Sequence, residues 1–355
     1  MTSLVELSET QLADREEETM SSSIVLCLAV TLGLGLSGCG SSTGGHATTP
    51  STPAATRTAR TAPAAASTYA DRLQSRFHAD GADGMVAAAG SLWAKTDLGH
   101  VVRIDPRSNK VTAEIVVDKY TGQSFYCQGI GATRRFVWSC ATRSDGVGLA
   151  QIDPSRHRVV RVVRAGKVFD QLALPVTSRG IWVLTGDGTQ VSRVDPVSGK
   201  ATSFRLGARC QQVGASESRV VATSVVGGNV VVLDADTGVV RKRLEVADPR
   251  MAVVVGDDIW VDSSAGLTRF SDDLGTRTVY PGMTAGQGGD LFSDGRSVWL
   301  RESDGTIFRV DAYFGRVLER ITPSHPLSGG SLVVAYGSIW TTDSERGWVI
   351  RLRQD

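Results

Sequence analysis

The chain is poor in the residue types that usually announce a chemistry. It has five cysteines and five histidines in 355 residues, too few and too scattered for a metal cluster or a disulfide-built scaffold. Lys and Arg number 38 against 37 Asp and Glu, a formal charge of +1, so no field of one sign draws in nucleic acid. Eleven prolines without a Gly-X-Y period exclude collagen, and 41% hydrophobic residues exclude wholesale disorder. The longest uncharged apolar run, residues 24–36, has thirteen positions, short of the roughly 20 needed to cross a bilayer core. No P-loop, Cys-x-x-Cys or serine nucleophile elbow is present. What the chain has in excess is glycine, 39 residues, or about 11% against a usual 7%. Together with many valines, this points to short strands joined by tight turns.

The apolar run 24–36 has the length of a signal-peptide core. It ends in Leu36, Ser37, Gly38 and Cys39. This ending resembles the lipobox of bacterial lipoproteins, in which small residues precede a cysteine that is acylated and becomes the mature N-terminus. The resemblance implies lipidation (palmitate) of Cys39 and an extracytoplasmic location, anchored to the cell membrane. Residues 1–19 depart from the pattern, with six acidic residues against the single Arg15 where a basic region is expected. A start at Met20 accounts for the acidic stretch. Without residues 1–38 the chain carries about +6, a mild attraction to anionic lipid or polymer. Residues 40–68 are almost wholly Ser, Thr, Ala, Pro and Gly. With nothing periodic to bury, they are expected to form a disordered spacer.

Beyond residue 69 one motif recurs. Tryptophan anchors stand at Trp93, Trp138, Trp182, Trp260, Trp299 and Trp340, with Val221 in the matching slot between Trp182 and Trp260. Their spacings are 45, 44, 39, 39, 39 and 41 residues. About twelve residues after each anchor comes an Asp-containing turn, V-V-R-I-D-P-R-S-N-K at Asp105 and V-S-R-V-D-P-V-S-G-K at Asp195, with copies at Asp153, Asp234 and Asp311 and Ser271 in the degenerate fifth slot. Asp accepts backbone N–H bonds, Pro presets φ, and Gly supplies φ > 0, so each such piece reverses one strand into the next. In the third copy the expected strands are 171–176, 180–184, 190–194 and 201–206. Unbroken apolar second strands indicate sheets covered on both faces. The expectation is an all-β, seven-bladed β-propeller of four-stranded antiparallel blades over 69–355, with the tryptophans packing blade on blade. The last copy lacks its fourth strand, and residues 72–79 are expected to supply it.

The repeat resembles the YVTN-type and streptogramin-lyase-like propellers, which carry V-x-R-I-D-P-x-T-G-K units after a G-x-I/V-W. This resemblance is specific for architecture and poorly specific for function. It implies, for the lyases, histidines and a glutamate with magnesium on one face. No matching His–Glu–His cluster is found among His46, His78, His100, His157 and His325. No catalytic residue, metal or cofactor is therefore assigned.

With Cys27 and Cys39 in the leader, Cys127, Cys140 and Cys210 remain. Cys127 and Cys140 lie symmetrically about the hairpin between Thr133 and Arg134, so a disulfide between them is expected. Cys127 with Cys210 is the competing pair. Ligands meet propellers at the loops entering the inner strands, and there Tyr120, Tyr126, Gln128, Asp170, Arg209, Gln211, Arg250 and Asp290 form a polar ring. Gln123, Gln171, Gln212 and Gln287 belong to it as well. Arg143, Asp145, Asp187, Asp304, Arg346 and Trp348 extend it from the second-to-third strand loops. The leading functional expectation is a monomeric, lipid-anchored, non-catalytic binding module for an envelope protein or a polar glycan or peptide. A metal-dependent lyase or hydrolase on the same face, and an envelope sensor or assembly scaffold, are the alternatives.

Overall fold

The computed structural model describes residues 54–118, 128–143, 146–166, 171 and 173–355. Seven sheets follow one another along the chain, each starting at the centre and ending at the rim. Blade 1 runs Ala82–Ala88, Ser91–Thr96, His100–Asp105 and Lys110–Val116. Blade 3 runs Val176–Thr177, Gly180–Thr185, Gln190–Val194 and Ala201–Arg205, antiparallel throughout. Its first strand is shorter than the sequence indicates, since residue 173 only makes a bridge to Ile130 of blade 2.

Burial explains the sequence pattern. Second strands such as Gly180–Thr185 and Ser338–Asp343 are buried at every position, because a neighbouring blade covers each face. All six anchor tryptophans are fully buried. The buried apolar side chains form seven clusters, each drawn from two adjacent blades. Between blades 3 and 4, for example, Trp182 and Leu184 pack with Val220, Ala222 and Leu233. The packing role expected of the tryptophans is the one observed.

The Asp turns are capped as expected. Asp195 accepts the Val197 and Ser198 amides at 3.0 and 2.6 Å. Asp234 accepts the Thr237 amide at 2.9 Å, and that bond first, with Arg241 beside it, holds its carboxyl down at about 2. In the degenerate blade 5 slot, the Ser271 hydroxyl accepts the Thr276 amide across the turn at 2.9 Å, and Asp273 accepts the Gly275 amide within it at 2.8 Å. Gly238 closes its turn at φ 68°, and a Cβ there lies 1.8 Å from the Phe204 ring. Both backbone and packing therefore require glycine.

Two bond systems lock the ring. Leu73–His78 pairs antiparallel with Trp348–Arg353 as the outer strand of blade 7, the closure expected for residues 72–79. On the face formed by the first-to-second and third-to-fourth strand turns, hereafter the turn face, a side chain of each blade bonds a turn of the next or, in blade 7, the residues after its third strand. Arg103 donates to His157 (3.1 Å), Arg161 to the Pro196 carbonyl (2.9 Å) and Arg193 to the Ala235 carbonyl (3.0 Å). Arg219 donates to the Asp272 carbonyl and Tyr280 to that of Gly315 (2.9 Å). Arg309 donates to the Asp355 carbonyl (3.4 Å), and Arg351 to that of Pro106 (2.6 Å) completes the circle.

The spacer expected over 40–68 needs correction at its C-terminal end. Ala55–Thr58 pairs parallel with Thr276–Tyr280 at the rim of blade 5, and Ala65–Thr68 pairs parallel with Val317–Thr322 at the rim of blade 6. These two blades are five-stranded. Composition judges a segment by what its side chains bury. Here the side chains stay almost wholly exposed, and backbone bonds to an open sheet edge hold the segment instead. Thr68 then caps a short helix, Tyr69–Arg72, leading into the closing strand. Cys39 and Cys127 lie outside the described residues. Cys210 is a free, buried thiol, pushed up to about 12 by burial, which removes the competing 127–210 pair. Among the described residues no helix is long and apolar enough to cross a membrane.

Candidate functional site on the loop face

The opposite face carries the fourth-to-first and second-to-third strand connections. Of the ring expected there, Tyr120, Gln123, Tyr126, Asp145 and Asp170 lie outside the described residues. The others divide by what holds them. Gln128 donates to Asp97 of blade 1 at 3.0 Å. Gln171 is buried and accepts the Leu184 amide at 2.7 Å, so it serves the backbone. Gln211 accepts the Val225 amide at 3.0 Å. Arg209 is exposed, and its carbonyl accepts the Ser224 hydroxyl. Asp290 lies at the central channel and accepts the Leu291 and Leu332 amides, both at 2.7 Å. Burial nevertheless pushes its carboxyl up to about 6. Together with Gln212, Met251, Val253 and Phe292 it lines a channel cavity of about 220 Å³.

Beneath the loops lies a layer of charge that the sequence reading passed over. Two positions after the anchor, at or next to the end of the second strand, three blades place a charged side chain: Lys95, Asp262 and Arg301, all almost fully buried. Lys95 pairs with Asp118. Arg301 donates from Nη1 to the Gly288 and Glu302 carbonyls and from Nη2 to those of Gly329 and Thr342. Its Nε donates to Thr341 at 2.9 Å. It thereby ties the loops of blades 6 and 7 to one guanidinium.

Asp262 accepts Thr284 Oγ1 at 3.0 Å and the Ala285 amide at 2.8 Å on Oδ1. Oδ2 has no hydrogen-bond partner among the described residues, and Arg250 Nη1 stands 3.9 Å away. Burial therefore outweighs those bonds and the arginine, and the carboxyl rises to about 6. The signal for this layer was present, as a charged residue at or next to the end of an otherwise apolar strand.

A second and roomier feature is an open cleft of about 450 Å³ at the rim between blades 6 and 7. Tyr69, Arg76, His325, Asp343, Arg346 and Trp348 line it. It exists because the closing strand places His78 opposite Trp348, with ring centroids 3.6 Å apart. From the same strand the Arg76 guanidinium lies 4.8 Å over the indole. At the floor, Asp343 is 1% exposed and pairs with Arg346 at 2.9 Å. Tyr69 is buried and donates to the Gly305 carbonyl at 2.6 Å. An indole edge, two arginines and a histidine around an open cleft suit a polar, anion-bearing ligand with a flat apolar part. Trp348 and Arg346 were expected on this face. Arg76 and His325 were not, because only ring closure brings residue 76 beside residue 348.

No family model matches the chain, and no curated protein does. Among solved structures, one described as "Kuenenia stuttgartiensis Hydrazine Synthase" is similar with a TM-score of 0.62 at 14% identity, over 79% of this chain and 97% of that one. The computationally designed Ika8 protein is similar with a TM-score of 0.55 at 13% identity, over 80% and 98% of the two chains. At such identities the likeness is one of fold, and it agrees with the seven sheets described above: the chain is a seven-bladed β-propeller.

Proposed function

We propose that this protein is a membrane-anchored binding module, lipidated at Cys39 and located outside the cytoplasm, whose loop face takes up a polar envelope ligand or partner segment without chemistry. The observation that carries the reading is the rim cleft. It has the size of a ligand site, and it brings cationic groups and an indole to an opening while the buried Asp343 fixes Arg346 from below. The anchor rests on the Leu-Ser-Gly-Cys sequence after the apolar run 24–36.

The reading is tested by thermal unfolding of the purified chain and of Trp348→Ala, each with a panel of acidic and neutral glycan fragments and short peptides. A ligand held only by the native state adds about 2.7 kcal/mol at a hundredfold excess over its Kd, a rise of several degrees for a domain of this size. The expected result is a rise for wild type with at least one acidic member and none for Trp348→Ala. A rise that is equal in both proteins places binding elsewhere and overturns the assignment to the cleft.

A further inference from the structure

The turn face also carries exposed aromatic side chains. In the third-to-fourth strand turn of blade 6, Tyr313 is 58% and Phe314 73% exposed. Tyr336, in a turn of blade 7 on the same face, is 41% exposed. The blade 6 turn is held rigidly. Asp311 accepts the Tyr313 and Phe314 amides at 2.9 and 2.7 Å, and the Tyr313 hydroxyl donates to the Gly295 carbonyl. Arg316 lies 5.4 Å over the Phe314 ring, and Arg296 is exposed on the adjoining turn. Aromatic rings fixed outward beside arginines are the composition of a membrane-interface anchor.

The path of the chain points to the same face. Ala55 enters the propeller beside the blade 5 turn, where its amide donates to the Gly275 carbonyl at 3.0 Å. That turn neighbours the blade 6 turn, to which Tyr280 of blade 5 is bonded. Fourteen residues lie between Cys39 and Ala54, a reach of at most about 50 Å when fully extended. A tether from Cys39 thus joins the propeller at the turn-face end of the blade 5 rim.

We infer that the turn face of blades 5 to 7 rests on the lipid surface, with Phe314 and Tyr313 entering the headgroup layer and the loop face held outward. This inference rests on the anchor reading above. The test uses the full chain purified with its lipid and reconstituted into phosphatidylcholine–phosphatidylglycerol vesicles, with and without bromine on the acyl chains. Phe314→Trp and Tyr313→Trp report the turn face. Val226→Trp, at an 85% exposed position in a blade 4 loop, reports the opposite face.

Flotation reports the anchor and quenching reports the orientation. The expected result is flotation of all three variants, with loss of most of the added emission at positions 314 and 313 and none at 226. Flotation with quenching at 226, or at no position, overturns the orientation and leaves the anchor standing. Failure to float removes the anchor and this inference together.

Discussion

At the scale of single residues, Asp262 is the most informative group. Its Oδ2 is buried without a hydrogen-bond partner among the described residues, and such an oxygen costs about 1–3 kcal/mol. Its carboxyl titrates at about 6 in the folded chain, against an ordinary 3.8. A raised acid pKa means that the native state holds a proton the unfolded chain has given up. Stability from this group is therefore highest below about pH 4 and declines as pH rises through 6. The difference in pKa corresponds to a term on the order of 3 kcal/mol. Asp262→Asn keeps the Oδ1 acceptor for Thr284 and Ala285 and removes the charge. The expected outcome of denaturant titrations is that the variant is the more stable protein at pH 7.5 and that the two converge near pH 4. A variant less stable than wild type at every pH means that the carboxylate is paired with Arg250 strongly enough to be a net stabiliser.

The residues that sequence alone made legible are those whose role recurs. Six tryptophans at one spacing have one explanation, and Asp followed by Pro or Gly at the strand reversal has another. Asp262, Lys95 and Arg301 occupy a recurrent position too, but their chemistry differs from blade to blade, so no motif announced them. Arg76 was hidden for a different reason. Its partner Trp348 is more than 270 positions away, and only the closing strand sets the two side by side.

At the scale of elements, the N-terminal segment contains three strands with different roles. Leu73–His78 completes blade 7, and Phe77 packs into the blade 7–blade 1 core beside Trp340 and Leu92. Ala55–Thr58 and Ala65–Thr68 contribute backbone pairing to exposed edges. Loss of 55–58 is expected to shift the melting temperature of the propeller by a few degrees at most, since backbone pairs at a solvated edge add little. Loss of 73–78 exposes the blade 7 edge and its apolar cluster, and should abolish a single cooperative transition. Calorimetry of the two deletions decides: comparable losses mean that the rim strands are as integral as the closing one. The closing strand was readable because the repeat count left a vacancy at its end. The rim strands were not readable, because Ala, Thr and Ser that bury nothing look the same in a spacer and on a sheet edge.

At the scale of the whole molecule, the two faces have separate tasks. The turn face closes the ring, with one side chain per blade reaching the next blade and Arg351 joining the last blade to the first. The loop face stores buried charge and opens the cleft between blades 6 and 7. A propeller suits this division because its strands run from one face to the other, so turn chemistry and loop chemistry vary independently around a constant core. The seven-bladed architecture was legible from period and turn signature, and the two added rim strands were not. The ligand was not, since one scaffold serves many recognitions and the groups lining the cleft come from distant parts of the chain.

The measurement that bears most directly on the account is hydrogen–deuterium exchange of the full chain, alone and saturated with the acidic fragment that raises its melting temperature most. Slowed exchange confined to residues 323–331 and 343–348 and to the closing strand Leu73–His78 is the result expected of a ligand in the blade 6–blade 7 cleft. Protection centred on the turns at 271–275 and 311–315, with the cleft segments unchanged, contradicts the account and places recognition on the opposite face.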